Sequence, residues 1–271
     1  MYVPIPGYGE STKSTPSNVT EAYSKRVIGN DILEALLKLL STTKYVKRRV
    51  ILIGHDRGAR ICHRLVVDAG MGLFPDTLEL LGVVMLDIVP TVVQFKSLAD
   101  PAVAAATFHW PFLAAPYPLP ENMISALGGD VFVDTLIPKW TGGSATSQSQ
   151  ISLGIEVYKN YFKKASVIAA SCADYRAAAL VDAPLQVNDQ EEGRKIRHPT
   201  LIIYSEAYLG ARYDVLAVWN DWVEGSKGGE GTRLRTMAVG NGVGHFMCEE
   251  APEEVTKGVV GWVRGVLGVN C

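Results

Sequence analysis

Asp56 stands in the middle of Gly54-His55-Asp56-Arg57-Gly58-Ala59-Arg60, directly behind the apolar run Val50-Ile51-Leu52-Ile53. A short β-branched run reads as a buried strand, because a sheet covered on both faces needs no polar alternation. The run breaks into a small-X-nucleophile-X-small pattern, the spacing of a strand-to-helix turn so sharp that small residues must flank the central one. Such a turn lifts the central side chain to the end of the sheet and leaves the Arg57 N–H free to donate to an oxyanion. A carboxylate placed there can attack a saturated carbon and form an ester that water then cleaves. The plain alternative is an ordinary strand–Gly–helix junction with a capping Asp.

Ester cleavage needs a base and a partner to orient it. His245 lies in Gly242-Val243-Gly244-His245-Phe246, just past the last expected strand and followed by Glu249-Glu250-Ala251-Pro252. The order nucleophile, acid, histidine suits a triad, with His245 deprotonating the water. Taken alone, a His in a Gly-rich turn is more often a surface or capping residue; its place at the end of the last expected strand reverses that. Asp87 ends the strand after the elbow strand, at the carboxyl edge of the sheet where open α/β folds bind ligands. There it would fix the histidine tautomer and stabilise the imidazolium. Its other reading is a helix N-cap ahead of Pro90. Arg57 and Arg60 share one side of the first helical turn. Two guanidinium groups beside a nucleophilic carboxylate suit a carboxylate substrate held by charge-assisted bonds. Alternatively, one of them pairs with a structural acid.

The elements that must position these residues follow an α/β alternation. Val27, Ile28, Ile32, Leu33, Leu36, Leu37 and Leu40 recur at helical steps between Glu21 and Leu40. Buried-strand runs are expected before the elbow, from Leu80 to Val89, over His198 to Ser205, and over Arg233 to Val239. Helices are expected through Cys62, Leu65 and Val66, around Val215 to Val223, and at the chain end to Leu267. That pattern predicts a mostly parallel sheet flanked by helices. After Leu98 the composition turns Ala-, Pro- and aromatic-rich, with helical patches such as Ile155 to Ala170 and no strand pattern.

Composition bounds the rest. A net charge of −2 over 271 residues leaves no basic footprint for nucleic acid. No run is apolar for long enough to span a bilayer, and the N-terminus lacks a basic-then-apolar signal pattern. The four cysteines, Cys62, Cys172, Cys248 and Cys271, show no CxxC spacing, so neither a disulfide framework nor a metal site is expected. A cytoplasmic protein with a small-molecule substrate is the expectation.

The elbow heptapeptide resembles that of haloacetate (fluoroacetate) dehalogenases, within the α/β-hydrolase fold and close to epoxide hydrolases. The resemblance runs from Pro6 onward and implies a core at 1–98 and 185–271 with an inserted helical cap at 99–184. It implies Asp56 as nucleophile, Asp87 as acid in its Leu86-Asp87-Ile88 setting, His245 as base, and Arg57 and Arg60 as the carboxylate site, with no cofactor. In the cap, Phe108-His109-Trp110-Pro111-Phe112 and Asp174-Tyr175-Arg176 resemble the stretches whose His, Trp and Tyr donate to a leaving halide. N–H and O–H dipoles aimed at a developing anion lower the barrier. Aromatics on a cap also serve plain packing. Many epoxide hydrolases carry the acid after the next strand, where this chain offers Glu206 and Asp214 outside the expected motif.

Two departures stand out. The connection between Asp68 and Leu80 is longer than the family's and contains Gly and Pro. The family's earlier strands, and the loop that donates a second oxyanion N–H, would precede Pro6. An N-terminally shortened α/β-hydrolase is therefore expected, with an exposed edge on the elbow strand that favours association, such as a homodimer. Three readings result: hydrolytic dehalogenation of a short 2-haloacid, epoxide hydrolysis by the same ester chemistry, and a non-catalytic hydrolase-fold binding protein. Tyr175 fits one of the two cap tyrosines an epoxide hydrolase typically uses, while His109-Trp110 stands in place of the second.

Overall fold

The computed structural model describes residues 3–12, 19–40, 47–226 and 233–269. In chain order the elements are α1 (Lys25–Leu40), β1 (Arg48–His55), α2 (Arg57–Gly70), β2 (Leu78–Leu86), α3 (Thr91–Ser97), α4 (Pro101–Ala106), α5 (His109–Leu113), α6 (Leu119–Leu127) and α7 (Gly129–Trp140). They continue with α8 (Ala145–Phe162), α9 (Ala165–Ala177), a π-helical turn (Ala178–Asp182), α10 (Ala183–Glu191), β3 (Thr200–Ser205), α11 (Val215–Asn220), β4 (Leu234–Val239), α12 (Met247–Glu250) and α13 (Pro252–Leu267).

Two compact units result. One comprises Met1–Ile32, Pro90–Lys139 and Ser152–Asp189; the other comprises Leu33–Val89, Trp140–Ile151 and Gln190–Cys271. The helical unit thus takes in more than the 99–184 stretch at both ends, and residues 140–151 belong with the sheet.

In the sheet unit the described strands run in the order β1-β2-β3-β4, and every pairing is parallel. Parallel pairing follows from β2 and β3 being apolar on both faces, so that helices must cover each side. Val84, Leu86, Leu201, Ile203, Val239 and Met247 form the centre of the core, and Trp262 of α13 closes it. Gly82 lets that helix approach, since a Cβ there would fall 2.7 Å from the Trp262 ring. A one-residue shift in register between Val50 and Ile51 sets the last half of β1 against Gly82 to Leu86. Among the described residues β1 pairs only with β2, and Ile53 is 51% exposed.

In the helical unit, α9 is the axis. Ala170, Ala173 and Ala177 let Tyr23 pack flat against it, while its opposite side meets Trp110, Leu113 and Ile124. The helix expected from Glu21 starts later: a 3-10 turn covers Thr20–Tyr23, and α1 begins at Lys25. The reason is tertiary, because the Lys25 N–H donates to Asp182 Oδ1 at 2.9 Å and so caps the helix from a distant element. The helical patch expected across Ile155 to Ala170 is also two helices, α8 and α9, broken at Lys163-Lys164. Gly129 lies against the Phe162 carbonyl at that break, too close for any Cβ.

Among the described residues no helix is long and apolar enough to cross a membrane. Cys62, Cys172 and Cys248 are free thiols, and Cys271 lies outside the described residues.

Candidate active site

The turn between β1 and α2 is strained at its centre. Asp56 has φ 45° and ψ −113°, and although it occupies the N-cap position of α2, its side chain makes no capping bond. A non-glycine residue held there costs on the order of 1–3 kcal/mol, which the surrounding contacts must overcome. Gly54 supplies the close approach: a Cβ on it would sit 2.4 Å from the Gly58 carbonyl carbon. Gly58 differs from the expectation, since a Cβ there meets nothing within 4 Å. The tightness of the elbow therefore rests on Gly54, with Gly58 contributing its backbone.

The Asp56 carboxylate, 32% exposed, faces His245 Nε2 at 3.7 Å. On the other side of the ring, His245 Nδ1–H donates to Asp87 Oδ2 at 2.7 Å. Asp87 is fully buried as a side chain and has φ 53°. It is no helix cap, because Pro90 occupies that position on α3. Its second oxygen accepts the Ser205 N–H at 2.8 Å, so β3 fixes the carboxylate plane. Of the alternative acids, Glu206 is exposed, and Asp214 is spent capping α11 through the Ala217 N–H at 2.9 Å.

Electrostatics follow from this geometry. Burial alone would push the Asp56 carboxyl up, but hydrogen bonding and charge from His245, then the guanidinium groups of Arg57 and Arg60, hold it below the usual carboxylate range. For His245, burial alone would lower the imidazole. The Asp56 and Asp87 carboxylates outweigh that and raise it well above the ordinary histidine value. Arg57 and Arg60 are both buried, and Arg60 Nη1 donates to the Val89 carbonyl at 3.0 Å.

Sequence reasoning passed over three residues that hold this arrangement. His55 donates Nε2–H to the His245 carbonyl at 2.8 Å, and burial, then the charge of His245, lowers its own pKa. Ser205 Oγ donates to the Val243 carbonyl at 2.6 Å. Glu250, also buried, accepts backbone N–H groups of the His245 loop. His55 sits inside the elbow motif and Glu250 in the acidic pair after His245; only the acidic pair's position was a usable signal.

In the helical unit His109, Trp110 and Tyr175 come together. The Trp110 and Tyr175 rings are 5.2 Å apart and nearly perpendicular, and the His109 ring is 6.1 Å from Tyr175. All three are buried. Among the described residues no group of three or more His, Cys, Asp or Glu side chains is arranged to hold a metal ion.

The pattern that describes the α/β hydrolase family matches residues 3–257. This chain belongs to the α/β-hydrolase family. A fluoroacetate dehalogenase from Burkholderia sp is 31% identical over 255 residues, covering 93% of this chain and 73% of that protein. A candidate epoxide hydrolase from Pseudomonas aeruginosa superposes with a TM-score of 0.78 at 29% identity, over 97% of this chain and 78% of that one. A candidate α/β hydrolase from Nostoc sp PCC 7120 gives 0.76 at 31% identity, over 96% and 79%. This α/β hydrolase is thus an enzyme of the dehalogenase and epoxide-hydrolase type.

Proposed function

We propose that this α/β hydrolase cleaves the carbon–halogen bond of a short 2-haloacid such as a haloacetate, through an ester on Asp56. One observation carries the reading: a strained, non-capping carboxylate has a histidine–aspartate pair before it and two buried arginines in the next turn of its helix. The ester chemistry needs the first part, and an anionic substrate held by charge-assisted bonds suits the second.

In the first step an Asp56 oxygen attacks the α-carbon from the side opposite the halogen. The new C–O bond forms as the C–halogen bond breaks, and the halide leaves with the electron pair. Arg57 and Arg60 hold the substrate carboxylate and fix the line of attack. His109, Trp110 and Tyr175 are assigned to the departing halide on the resemblance alone. In the second step His245 takes a proton from water, whose oxygen adds to the Asp56 carbonyl carbon. The Arg57 N–H is the oxyanion donor, and Asp87 stabilises the imidazolium. On collapse the imidazolium of His245 returns its proton to the departing alkoxide oxygen, which releases the hydroxyacid, and the Asp56 carboxyl sheds its remaining proton to regenerate the carboxylate.

Asp56 and His245 exchange roles of charge between the steps. The resting His245 is flanked by two carboxylates. Esterification removes the charge of one of them, so the imidazole falls toward its ordinary pKa when a base is required.

The reading is tested with purified protein on fluoroacetate and chloroacetate, with styrene oxide in parallel. Halide release from either acid, and a substrate-derived mass on the Asp56 peptide in His245→Ala, are the expected results. An adduct from styrene oxide alone would transfer the assignment to epoxide hydrolysis, with Tyr175 as a proton donor. Absence of any adduct from folded His245→Ala would remove Asp56 as nucleophile.

A further inference from the structure

The loop carrying His245 is tied on both sides of that residue by one buried carboxylate. Glu250, 5% exposed, ends the short helix α12. Its Oε2 accepts the N–H of Gly244 at 2.8 Å and the N–H of Gly142 at 2.9 Å. Its Oε1 accepts the N–H of Phe246 at 3.0 Å. Gly244 and Phe246 are the residues immediately before and after His245.

The third N–H comes from a different segment, and the two segments touch backbone to backbone. A Cβ on Gly244 would fall 2.3 Å from the Gly142 nitrogen, and one on Gly142 would fall 2.0 Å from the Gly242 carbonyl oxygen. The His245 N–H itself donates to the Trp140 carbonyl at 2.7 Å. Three N–H donors on one carboxylate form a compact, charge-assisted cluster that resists displacement. None of these bonds is shared with Asp56, Asp87 or His55, so the cluster acts on His245 through the backbone alone.

We propose that Glu250 is a positioning residue, setting the backbone on both sides of His245 and thereby the placement of its ring between Asp87 and Asp56. The proposal rests on His245 being the base of the ester-cleaving step. Asp87 can orient the ring about its own bonds, but the height of Cα above the sheet edge is set by the loop. A shift on the order of 1 Å at that point costs roughly 10²-fold in a step that needs an aligned base.

The test is Glu250→Gln, whose amide turns an N–H donor toward at least one of the three backbone donors. Two readouts are taken on the folded variant. Without substrate, proton NMR follows the downfield resonance of the His245 Nδ1–H bonded to Asp87. With chloroacetate, rapid quench and mass spectrometry separate formation of the Asp56 ester from its decay. The expected result is loss or broadening of the downfield resonance, ester formation within about 2-fold of the parent, and decay slowed by about 10-fold to 100-fold.

An unchanged resonance with unchanged decay in folded protein would overturn the proposal, leaving Glu250 a purely structural group. If chloroacetate yields no ester in any variant, the haloacid reading fails and the resonance alone decides: loss supports the positioning role, persistence overturns it. Should Glu250→Gln not fold, Glu250→Asp keeps the charge on a shorter arm and is read by the same two measurements with the same criteria.

Discussion

Asp87 and His245 lie 158 residues apart in sequence, yet the Nδ1–H of the histidine donates to the aspartate Oδ2 at 2.7 Å. The bond fixes the ring with Nε2 toward Asp56. Asp87→Asn would keep an acceptor for the Ser205 N–H or for His245, but without the charge that steadies an imidazolium. We expect ester formation to survive and turnover to fall by roughly 10²- to 10⁴-fold, the range such orienting carboxylates command. Mass spectrometry during turnover checks it; a variant of undiminished kcat would show that Asp87 is not the acid.

The two half-reactions should respond differently to pH. Asp56 is held below the usual carboxylate range, so ester formation should stay flat as pH falls to about 4, the ordinary Asp value. Ester decay needs neutral His245 and should decline in acid, about tenfold per unit once the pH is below the histidine's pKa in the ester. Pre-steady-state rates between pH 4 and 9 decide this, and parallel acid limbs in both steps would contradict it. Stability carries the matching sign. His245 has a raised folded pKa, so its contribution is full below the unfolded value and is lost as pH rises through the folded one. The stability gap between the parent and His245→Gln should therefore narrow toward alkaline pH.

Isotope labelling reports which carbon the water attacks. In a single turnover in ¹⁸O-water the label should enter Asp56, and the first hydroxyacid released should carry only ¹⁶O in its new hydroxyl. Label in the first product would mean direct attack of water on the substrate, with no ester.

The elbow glycines should separate on substitution. Gly54→Ala places a Cβ 2.4 to 2.6 Å from the backbone of Gly58 and Ala59, and overpacking of this kind costs about 1–3 kcal/mol. Gly58→Ala meets open space in a helical first turn, so a change between zero and about 1 kcal/mol of added stability is expected. Urea unfolding compares the two. Equal destabilisation would contradict the assignment of the close approach to Gly54.

A buried ion cluster steadies the helical unit. Lys25 Nζ pairs with Asp174 and lies 3.2 Å from Asp182, and Tyr8 donates to Asp174 at 3.0 Å. Lys25→Met strands two buried carboxylates, which typically costs about 3–5 kcal/mol. Lys25→Met combined with Asp174→Asn and Asp182→Asn should recover most of that loss. Denaturation midpoints settle it, and a loss under about 1 kcal/mol for the single variant would mean the cluster is solvated.

Much of this was legible in the residues themselves because the determinants are local. The elbow needs only a β-branched run and a glycine where a Cβ cannot fit, and both lie within one short window. Continuous apolar runs marked the four strands, and helical periodicity marked the helices, since burial imposes its pattern on neighbouring residues. The late start of α1 at Lys25 left no such mark, because a carboxylate from a distant element caps it, and the break between α8 and α9 falls where Gly129 packs against the Phe162 carbonyl.

The same division holds in the site. The chemical type of Asp56, Arg57, Arg60 and His245 could be read from order and spacing. Asp87 was the acid expected from its place at the end of the strand after the elbow strand, although Glu206 and Asp214 also follow a strand. Only the packed sheet turns Asp87 inward at φ 53°, leaves Glu206 exposed and uses Asp214 as a cap. The supports of His245 were further out of reach. His55 meets its carbonyl across 190 residues, and Glu250 reaches Gly142 across 108. Bonds of that separation depend on where the completed sheet brings its loops, and no local pattern of side chains encodes that place.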